Sequence, residues 1–393
     1  NDQGMKQAII DNLKNLRGWR TSRKLVAFAV DDYANVRVAS PIARERLIDA
    51  GLDLSGQMDR FDSMETRQDL EGLFEVLDSV RDGRDRPAIF TAYALSANPD
   101  FNAIRRNGRH YHPEPVTATF ERLAAEQPQA YEGAWSLWQE GMARGLIRPQ
   151  FHGREHLNVR LFEEKLNKKA PDLLANLENS SLAGFTKDSS LPDIGFSQAF
   201  AIHDDSCLDR HAGILRDGVR LFEQCFGFRS ITFTPPAQKI SPELYAVCVD
   251  SGIRLIHKPR YTVRKAKGAQ QRRELCWTGR KHPSGHTSLV RNAVFEPGLN
   301  DKRSSEDRVI EQIRAAFRWR KPAIISSHRV NFCGHIEENN RTRSLRKLRR
   351  LLRNIVCEWP DVEFVALDDL AEMITPGAVA GPSSGNKPFV AER

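Results

Sequence analysis

Two histidines, His152 and His156, stand four residues apart just after residues 146–151, a run typical of a β-strand. Imidazole is the commonest nitrogen ligand for zinc, and a divalent ion with an open coordination position can activate a water molecule. A spacing of four places both rings on one side of a helical turn or of a tight loop. The pair alone is a weak indication, because most such histidines are solvated or hydrogen-bonded. Gly153 also excludes the zinc-protease pattern His-Glu-x-x-His.

A carboxylate would complete a catalytic metal site, and the sequence offers two candidates far upstream. Asp31 and Asp32 follow residues 24–30, a nearly continuous apolar run of the kind that forms a strand buried on both faces. Taken alone, the two aspartates would more often make a turn. With the histidine pair downstream, they become candidate ligands.

The elements that must position these residues alternate between strand and helix along most of the chain. This alternation predicts an α/β fold in which helices cover a parallel sheet. About seven or eight strands are expected, which suits a closed or incomplete (β/α) barrel, with a doubly wound open sheet as the alternative. Polar residues recur where the strand-like runs end, at Asp31, Asp32, Asn98, His152, His203, Asp204, Asp205, Pro235, Pro236, His257 and His328. Because the C-terminal strand ends of such a barrel share one rim, these residues could form one site.

Residues 21–375 contain no linker-like stretch and are predicted to form a single domain. Residues 1–20 are expected to be a helical cover, and the Gly-, Pro- and Ser-rich residues 376–393 a disordered tail. Residues 258–287 are expected to form a long loop. Single strands are predicted at residues 196–202 and 289–295.

The chain has 393 residues, with 59 basic and 51 acidic side chains and a net charge of +8. A basic solvated surface accounts for this excess, although an anionic saccharide would also be attracted to it. Residues 341–353 hold the densest basic cluster, but leucines repeat through it at helical spacing, so it predicts an amphipathic surface helix. No nucleic-acid-binding motif accompanies it, and no apolar run approaches the ~20 residues of a membrane span.

The six cysteines show no Cys-x-x-Cys spacing, and several lie in apolar runs. They are expected to be buried, reduced thiols of a cytoplasmic protein. Residues 1–19 lack the apolar core of a signal peptide, although a signal removed before this numbering begins would not be visible.

The order of the motifs resembles that of the NodB-type polysaccharide deacetylases, carbohydrate esterases that act on N-acetyl sugars and share the glycoside hydrolase/deacetylase type of barrel. The four motifs are in family order and span residues 25–330. They are Val30-Asp31-Asp32, the pair His152 and His156, Thr234-Pro235-Pro236 after a strand, and Ile324-Ile325-Ser326-Ser327-His328.

The resemblance implies a role for each motif residue. Asp32, His152 and His156 would bind a divalent metal, usually zinc in this family, and Asp31 would be the general base. His328 would protonate the leaving amine. The substrate would be a saccharide or polysaccharide that carries an acetyl group, N-acetyl rather than O-acetyl.

The sequence departs from the family pattern at four points. Leu157 and Asn158 follow the histidine pair, where the family has Pro. Tyr33 stands where the family has Gly, and Thr234 stands where the family has an Arg that orients the base. The candidates for that orienting role are Arg154, Arg291 and Arg329. An insertion at about residues 36–145 separates the first two motifs.

Seven residues are predicted to bind the substrate: Tyr33, Asn98, Arg154, Pro235, Pro236, Arg291 and Arg329. For Tyr33 the alternative is core packing, which is the commoner fate of an aromatic side chain. Two rival functions stay open. One is a glycoside hydrolase on a similar barrel, which needs two carboxylates flanking the bond and no metal. The other is a non-catalytic carbohydrate-binding barrel.

Overall fold

The computed structural model describes residues 2–108, 110–186, 194–202, 205–264, 272–298 and 305–377. The strands are β1 Leu25–Tyr33, β2 Phe90–Ala94, β3 Ala97–Pro99, β4 Pro113–Pro115, β5 Ile147–Phe151, β6 Thr232–Phe233, β7 Leu255–His257, β8 Tyr261–Arg264, β9 Arg272–Leu275, β10 Thr287–Leu289, β11 Ala293–Val294, β12 Ala323–His328 and β13 Glu363–Phe364. The predicted tail beyond residue 377 and the residues His203 and Asp204 lie outside these ranges.

The helices cover the outside of the strands. They are α1 Asp2–Lys14, α2 Pro41–Asp49, α3 Gln57–Phe61, α4 Arg67–Asp78, α5 Phe101–Asn107, α6 Val116–Glu126, α7 Pro128–Tyr131, α8 Ala134–Ala143, α9 Val159–Asn167, α10 Pro171–Glu178, α11 Leu208–Phe226, α12 Tyr245–Asp250, α13 Glu306–Arg318, α14 Glu338–Glu358 and α15 Leu367–Ile374. The amphipathic helix predicted in the basic cluster is confirmed as part of α14, which buries its leucine stripe. None of the described helices is both long and apolar enough to cross a bilayer.

The central sheet has the strand order β10-β7-β6-β5-β2-β1-β12-β11, and β13 pairs with β1 as a ninth strand. All pairs in this sheet are parallel. The edge strands β10 and β11 are not paired with each other in the described part of the chain, so the predicted (β/α) barrel is confirmed in its incomplete form. Only residues 290–292 connect these two strands. Four Cα steps span at most ~14 Å, so the two edges lie close together.

The side chains of β1 alternate between two buried clusters. Leu25, Ala27 and Ala29 point into the barrel, where α15 packs beside them, whereas Val26 and Phe28 face the surrounding helices. Burial on both faces explains why the sequence of this strand is an unbroken apolar run. The Leu367 backbone at the start of α15 donates to Thr91 Oγ1 near the start of β2, so α15 closes the N-terminal end of the barrel. The C-terminal strand ends are left to form a site.

Three local predictions differ from the structure. Residues 196–202 form no strand but only an isolated bridge from Phe200 to Ile240, and the predicted loop at 258–287 contains the β8–β9 hairpin. The single strand predicted at 289–295 is two strands on opposite edges of the sheet. The reason lies in Asn292, whose side chain accepts from the Ile324 backbone and donates to the Pro322 carbonyl, ending one strand and aligning the next.

The segment predicted as an insertion, residues 36–145, contributes β2 to the centre of the sheet between β1 and β5. The remainder of the segment is mostly helical and packs around the loop that follows β1. The helical cover predicted at the N-terminus is α1, which contacts α13 through the ion pair of Asp11 with Arg308.

Candidate active site

Asp31 and Asp32 end β1 at the C-terminal rim of the barrel, where Asp31 pairs in register with His328 of β12. In a regular strand two successive side chains would point to opposite faces. Here the pairing of β1 with β2 shifts register between Val30 and Tyr33, and Asp32 has a φ of 72°. This bulge breaks the alternation, so both carboxylates face the barrel mouth.

Three side chains converge at this rim. Asp32 Oδ1 lies 3.1 Å from His152 Nε2 and 3.1 Å from His156 Nε2, although 120 residues separate Asp32 from His152. Donor atoms bound to one tetrahedral zinc ion at ~2.1 Å would lie about 3.4 Å from one another. The two spacings from Asp32 therefore fit three ligands of one cation, and these residues form a candidate metal site.

The tautomer of His152 supports this assignment. Its Nδ1 lies 2.7 Å from the Thr234 carbonyl oxygen, which can only accept, so Nδ1 carries the hydrogen. In neutral His152 the Nε2 lone pair then faces the carboxylate oxygen of Asp32, and two acceptors meet. A cation between them, or a proton on Nε2, removes this repulsion. A backbone carbonyl that fixes the second nitrogen is also the usual arrangement around a metal-bound histidine.

The electrostatics of Asp32 favour its anion. Burial alone would raise the pKa of this carboxyl, but the neighbouring His156 and His152 rings outweigh burial and hold the pKa well below its ordinary value. An ionised carboxylate is the form that binds a metal.

A tight loop brings His156 back toward His152. Gly153 has a φ of 123°, and a Cβ at this position would lie 3.2 Å from the Pro236 ring. The loop is held to the chain after β2, because the Gly153 carbonyl accepts from the Ser96 backbone. The Nδ1 atom of His156 is buried and has no hydrogen-bond partner among the described residues.

Asp31 makes a two-pronged ion pair with Arg291, which lies in the three-residue link between β10 and β11. Arg291 Nη2 donates to Oδ1 at 2.6 Å, and Nη1 donates to Oδ2 at 2.7 Å. Arg291 also donates to Thr234 Oγ1, just after β6, and to Ser326 Oγ in β12, so its guanidinium has two further anchors. Burial would lower the pKa of Arg291, but Asp31 outweighs that effect and raises it, so the guanidinium stays charged.

His328, at the end of β12, has one ring nitrogen bonded and the other directed to the base. Its Nδ1 lies 2.7 Å from Glu296 Oε1, and its Nε2 lies 4.0 Å from Asp31 Oδ2. Glu296 is fixed in turn by the Asn331 side-chain amide at 2.6 Å. Burial would lower the pKa of His328, but Glu296 outweighs burial and, with the aspartates, raises it to about 10. The His328 side chain is 37% exposed and so can reach a substrate.

Three of the residues predicted to bind substrate are buried near the site. Pro235 and Pro236 lie in the loop after β6, and Asn98 contacts the loop after β1. Pro235 and Pro236 are buried and hold the Thr234 carbonyl that His152 uses. Asn98 is 1% exposed, and its amide bonds the backbone of Ala34 and Val36. These contacts position the site without reaching the barrel mouth.

Tyr33, Arg154 and Arg329, which are also predicted to bind substrate, have side chains that other protein groups contact. Tyr33 is 1% exposed and packs edge-on against Trp138 in the core. The Arg154 guanidinium is engaged by Glu155 and Asp217. Core packing and ion pairing hold these side chains inside the protein. A short sequence motif does not reveal either kind of contact.

Arg329 is the most deeply buried of the three arginines. It follows His328 directly, but its side chain is 1% exposed and forms ion pairs with Asp62 and Glu65. Of the three arginines that could orient the base, only Arg291 contacts Asp31 among the described hydrogen bonds and ion pairs.

Glu296 is the site residue that the sequence reasoning missed. It follows the short strand β11 at the rim, which is the same signal, a charged residue at a strand end, that singled out the other residues. The single strand predicted at residues 289–295 hides the end of β11, so Glu296 does not stand out in the sequence.

A second group of possible metal ligands, Glu274, Cys276 and His282, lies beside β10. Arg280 donates to the Glu274 carboxylate at 3.1 Å, so a cationic side chain already neutralises this group. The six cysteines, all within the described residues, are thiols rather than disulfides, and Cys207, Cys248, Cys276 and Cys333 are buried.

No family model and no curated protein matches this sequence. Among solved structures, a protein of Mycobacterium smegmatis assigned as a polysaccharide deacetylase is 12% identical, with a TM-score of 0.43 over 95% of this chain and 98% of its own. The 4-alpha-glucanotransferase of Thermococcus litoralis is 10% identical, with a TM-score of 0.43 over 91% of this chain and 41% of its own. A family 4 carbohydrate esterase of Streptomyces lividans is 10% identical, with a TM-score of 0.35 over 86% of this chain and 90% of its own. The structures similar to this chain thus include polysaccharide deacetylases and family 4 esterases. These similarities are distant, and the chemistry of the site has to carry the function by itself.

Proposed function

We propose that this protein is a metal-dependent hydrolase that removes an acetyl group, N-acetyl rather than O-acetyl, from a saccharide. The observation that carries the proposal is the convergence of Asp32, His152 and His156 beside the ion pair of Asp31 with Arg291. A candidate three-ligand set thus lies next to a second, separately held carboxylate. The order of motifs in the sequence supports the same reaction class.

The ligands in this proposal are Asp32 Oδ1, His152 Nε2 and His156 Nε2. Two imidazoles and one carboxylate suit zinc with an open coordination position. A zinc ion bound there would polarise the acetyl carbonyl and lower the pKa of a water molecule.

Asp31 is the general base of the proposed reaction. Arg291 donates to both carboxylate oxygens and so holds in one orientation the carboxylate that accepts a proton from the attacking water. Two adjacent carboxylates can thus have different roles, one as a metal ligand and the other as a base. Asp32 is held by two imidazoles and acts as a ligand, whereas Asp31 is held by a guanidinium that cannot take a proton from it.

His328 is the general acid. Because its Nδ1 hydrogen is directed at Glu296, its Nε2 hydrogen is the one available to the leaving amine nitrogen. Its raised pKa keeps the ring protonated at neutral pH in the resting protein. Asp31 Oδ2 and His328 Nε2 are 4.0 Å apart, so the base and the acid flank the same point.

The positions of the carboxylates favour this reaction over glycoside hydrolysis. A glycosidase needs one carboxylic acid that is protonated and a second carboxylate across the bond. Here Asp31 is paired with a buried arginine, and Asp32 has a pKa well below its ordinary value, so neither is suited to donate a proton.

The test is acetate release from N-acetylated and O-acetylated oligosaccharides by the purified full chain, before and after chelation and after zinc is restored. Activity should disappear on chelation, return with zinc, and fall by about 10²- to 10⁴-fold in Asp31→Asn.

Two results would contradict the proposal. Cleavage of a glycosidic bond that survives complete chelation, without acetate release, would favour a glycosidase. Saccharide binding without any acetate release, unchanged in Asp31→Asn, would identify a non-catalytic binding protein.

A further inference from the structure

A chain of buried hydrogen bonds runs from the proposed base into the barrel interior. Besides holding Asp31, Arg291 donates from Nε to His257 Nδ1 at 3.2 Å. His257 Nε2 lies 2.7 Å from the Tyr93 hydroxyl, which lies 2.9 Å from Thr232 Oγ1. His257 and Tyr93 are 2% and 0% exposed, so water does not substitute for these partners.

The direction of every bond in this chain is fixed by its two ends. Arg291 can only donate, so His257 Nδ1 accepts, and Nε2 of the neutral ring carries the hydrogen and donates to Tyr93. At the other end, the Gln150 side-chain oxygen accepts from Thr232 Oγ1 at 3.0 Å and from the Thr232 backbone, so Thr232 must donate there and accept from Tyr93.

The groups that face His257 agree with this order. They are Tyr93 in β2, His152 directly after β5, and Arg291 in the link between β10 and β11. Burial, with Arg291 and His152 nearby, holds the pKa of His257 well below its ordinary value. A protonated ring would place its Nδ1 hydrogen against the Arg291 Nε hydrogen. The neutral ring is therefore the only form that holds the guanidinium.

We propose that His257 is a positioning residue, which aims the proposed base by accepting the Nε hydrogen of Arg291. Each nitrogen of the guanidinium then has its own acceptor: Nη1 and Nη2 donate to Asp31, and Nε donates to His257. The guanidinium is planar, so the hydrogen bond from Nε to His257 keeps it from rotating. The Asp31 carboxylate, which binds the other two nitrogens, is thereby held in the same plane. This inference rests on the proposed function only in naming Asp31 as the base.

Two substitutions test the two ring nitrogens of His257 separately. In His257→Asn the amide oxygen can replace Nδ1 as the acceptor for Arg291, but nothing reaches Tyr93. In His257→Gln the amide group reaches toward Tyr93, and the acceptor for Arg291 is lost. His211→Asn is the matched control, because it removes an equally buried imidazole that packs on Phe200 away from the site.

The expected results differ between the two variants. His257→Gln should lower kcat roughly 10- to 100-fold, since small displacements of a catalytic group have effects of this size, with KM and bound metal unchanged. His257→Asn should stay within about threefold of wild type, and His211→Asn should leave both kcat and KM at their wild-type values. Equal losses in His257→Asn and His257→Gln would overturn the proposal.

A second readout does not depend on activity. The Arg291 side-chain Nε–H resonance, identified by its loss in Arg291→Lys, should exchange slowly with solvent in wild type and in His257→Asn, and rapidly in His257→Gln. Slow exchange in both variants would refute the positioning role. If wild type releases no acetate, the proposed function fails, and this measurement still decides the role of His257.

Discussion

Arg291 and Asp31 form a planar, two-bond ion pair across 260 residues of sequence, with N–O distances of 2.6 and 2.7 Å. Arg291 belongs to the three-residue link that carries the chain from one edge of the open barrel to the other. The side chain that orients the proposed base thus comes from the place where the two edges of the sheet approach each other.

Arg291→Lys tests that relationship. A lysine keeps the charge but offers a single ammonium group in place of the two parallel N–H groups, so Asp31 is no longer held in one plane. We expect kcat to fall about 10- to 100-fold while the metal content stays at the wild-type level. Steady-state kinetics with metal analysis on the same sample measures both. Unchanged kcat would mean that charge alone suffices.

Glu296→Gln tests the acid. Glu296 is the largest favourable influence on the raised pKa of His328, so its neutralisation should move that pKa down toward the ordinary value for histidine. The acid must be protonated to act, and activity is lost as pH rises through its pKa. The alkaline limb of the rate profile should therefore move to lower pH by about one unit or more. The control is Glu363→Gln, which removes a buried, ion-paired glutamate at the other end of the barrel and should not move the limb.

His156→Ala and Asp31→Asn separate ligand from base. Loss of one of three ligands should reduce the bound metal to a small fraction of the wild-type amount, whereas Asp31→Asn should retain it and lose turnover. Metal analysis after dialysis, followed by the acetate assay, gives both quantities. A full metal content in His156→Ala would remove this histidine from the ligand set.

Arg329→Ala tests whether that residue is structural. Its guanidinium is 1% exposed and pairs with two buried carboxylates, so its removal leaves Asp62 and Glu65 without this buried cation. The free energy of unfolding should fall by about 3–5 kcal/mol. KM of the folded enzyme should not change. Arg349→Ala, which breaks an exposed pair with Glu75, is the control and should cost about 0–1 kcal/mol by denaturant titration. A raised KM with unchanged stability would restore Arg329 as a substrate-binding residue.

Much of the fold was readable from the sequence because local pattern and burial agree. The unbroken apolar run of β1 is buried on both faces, and its following aspartates lie at the rim as expected. The prediction of a single strand at residues 289–295 was wrong, because hydropathy does not reveal that the Asn292 side chain binds the backbone of Ile324 and Pro322 between the two strands.

Only part of the site could be predicted from the sequence, because the hydrogen-bond and ion-pair partners of its side chains come from distant segments of the chain. Asp31, Asp32, His152, His156 and His328 converge as the shared rim of a barrel predicts. The sequence could not choose Arg291 over Arg329, since that choice depends on burial beside Asp62 and Glu65, and it did not single out Glu296.

The most direct measurement is diffraction from zinc-soaked crystals at the zinc absorption edge. An anomalous peak about 2.0–2.2 Å from Asp32 Oδ1, His152 Nε2 and His156 Nε2, with Asp31 still on Arg291, is the predicted result. Crystals with no peak there at saturating zinc, and with Asp32 hydrogen-bonded to a protonated His152, would contradict it.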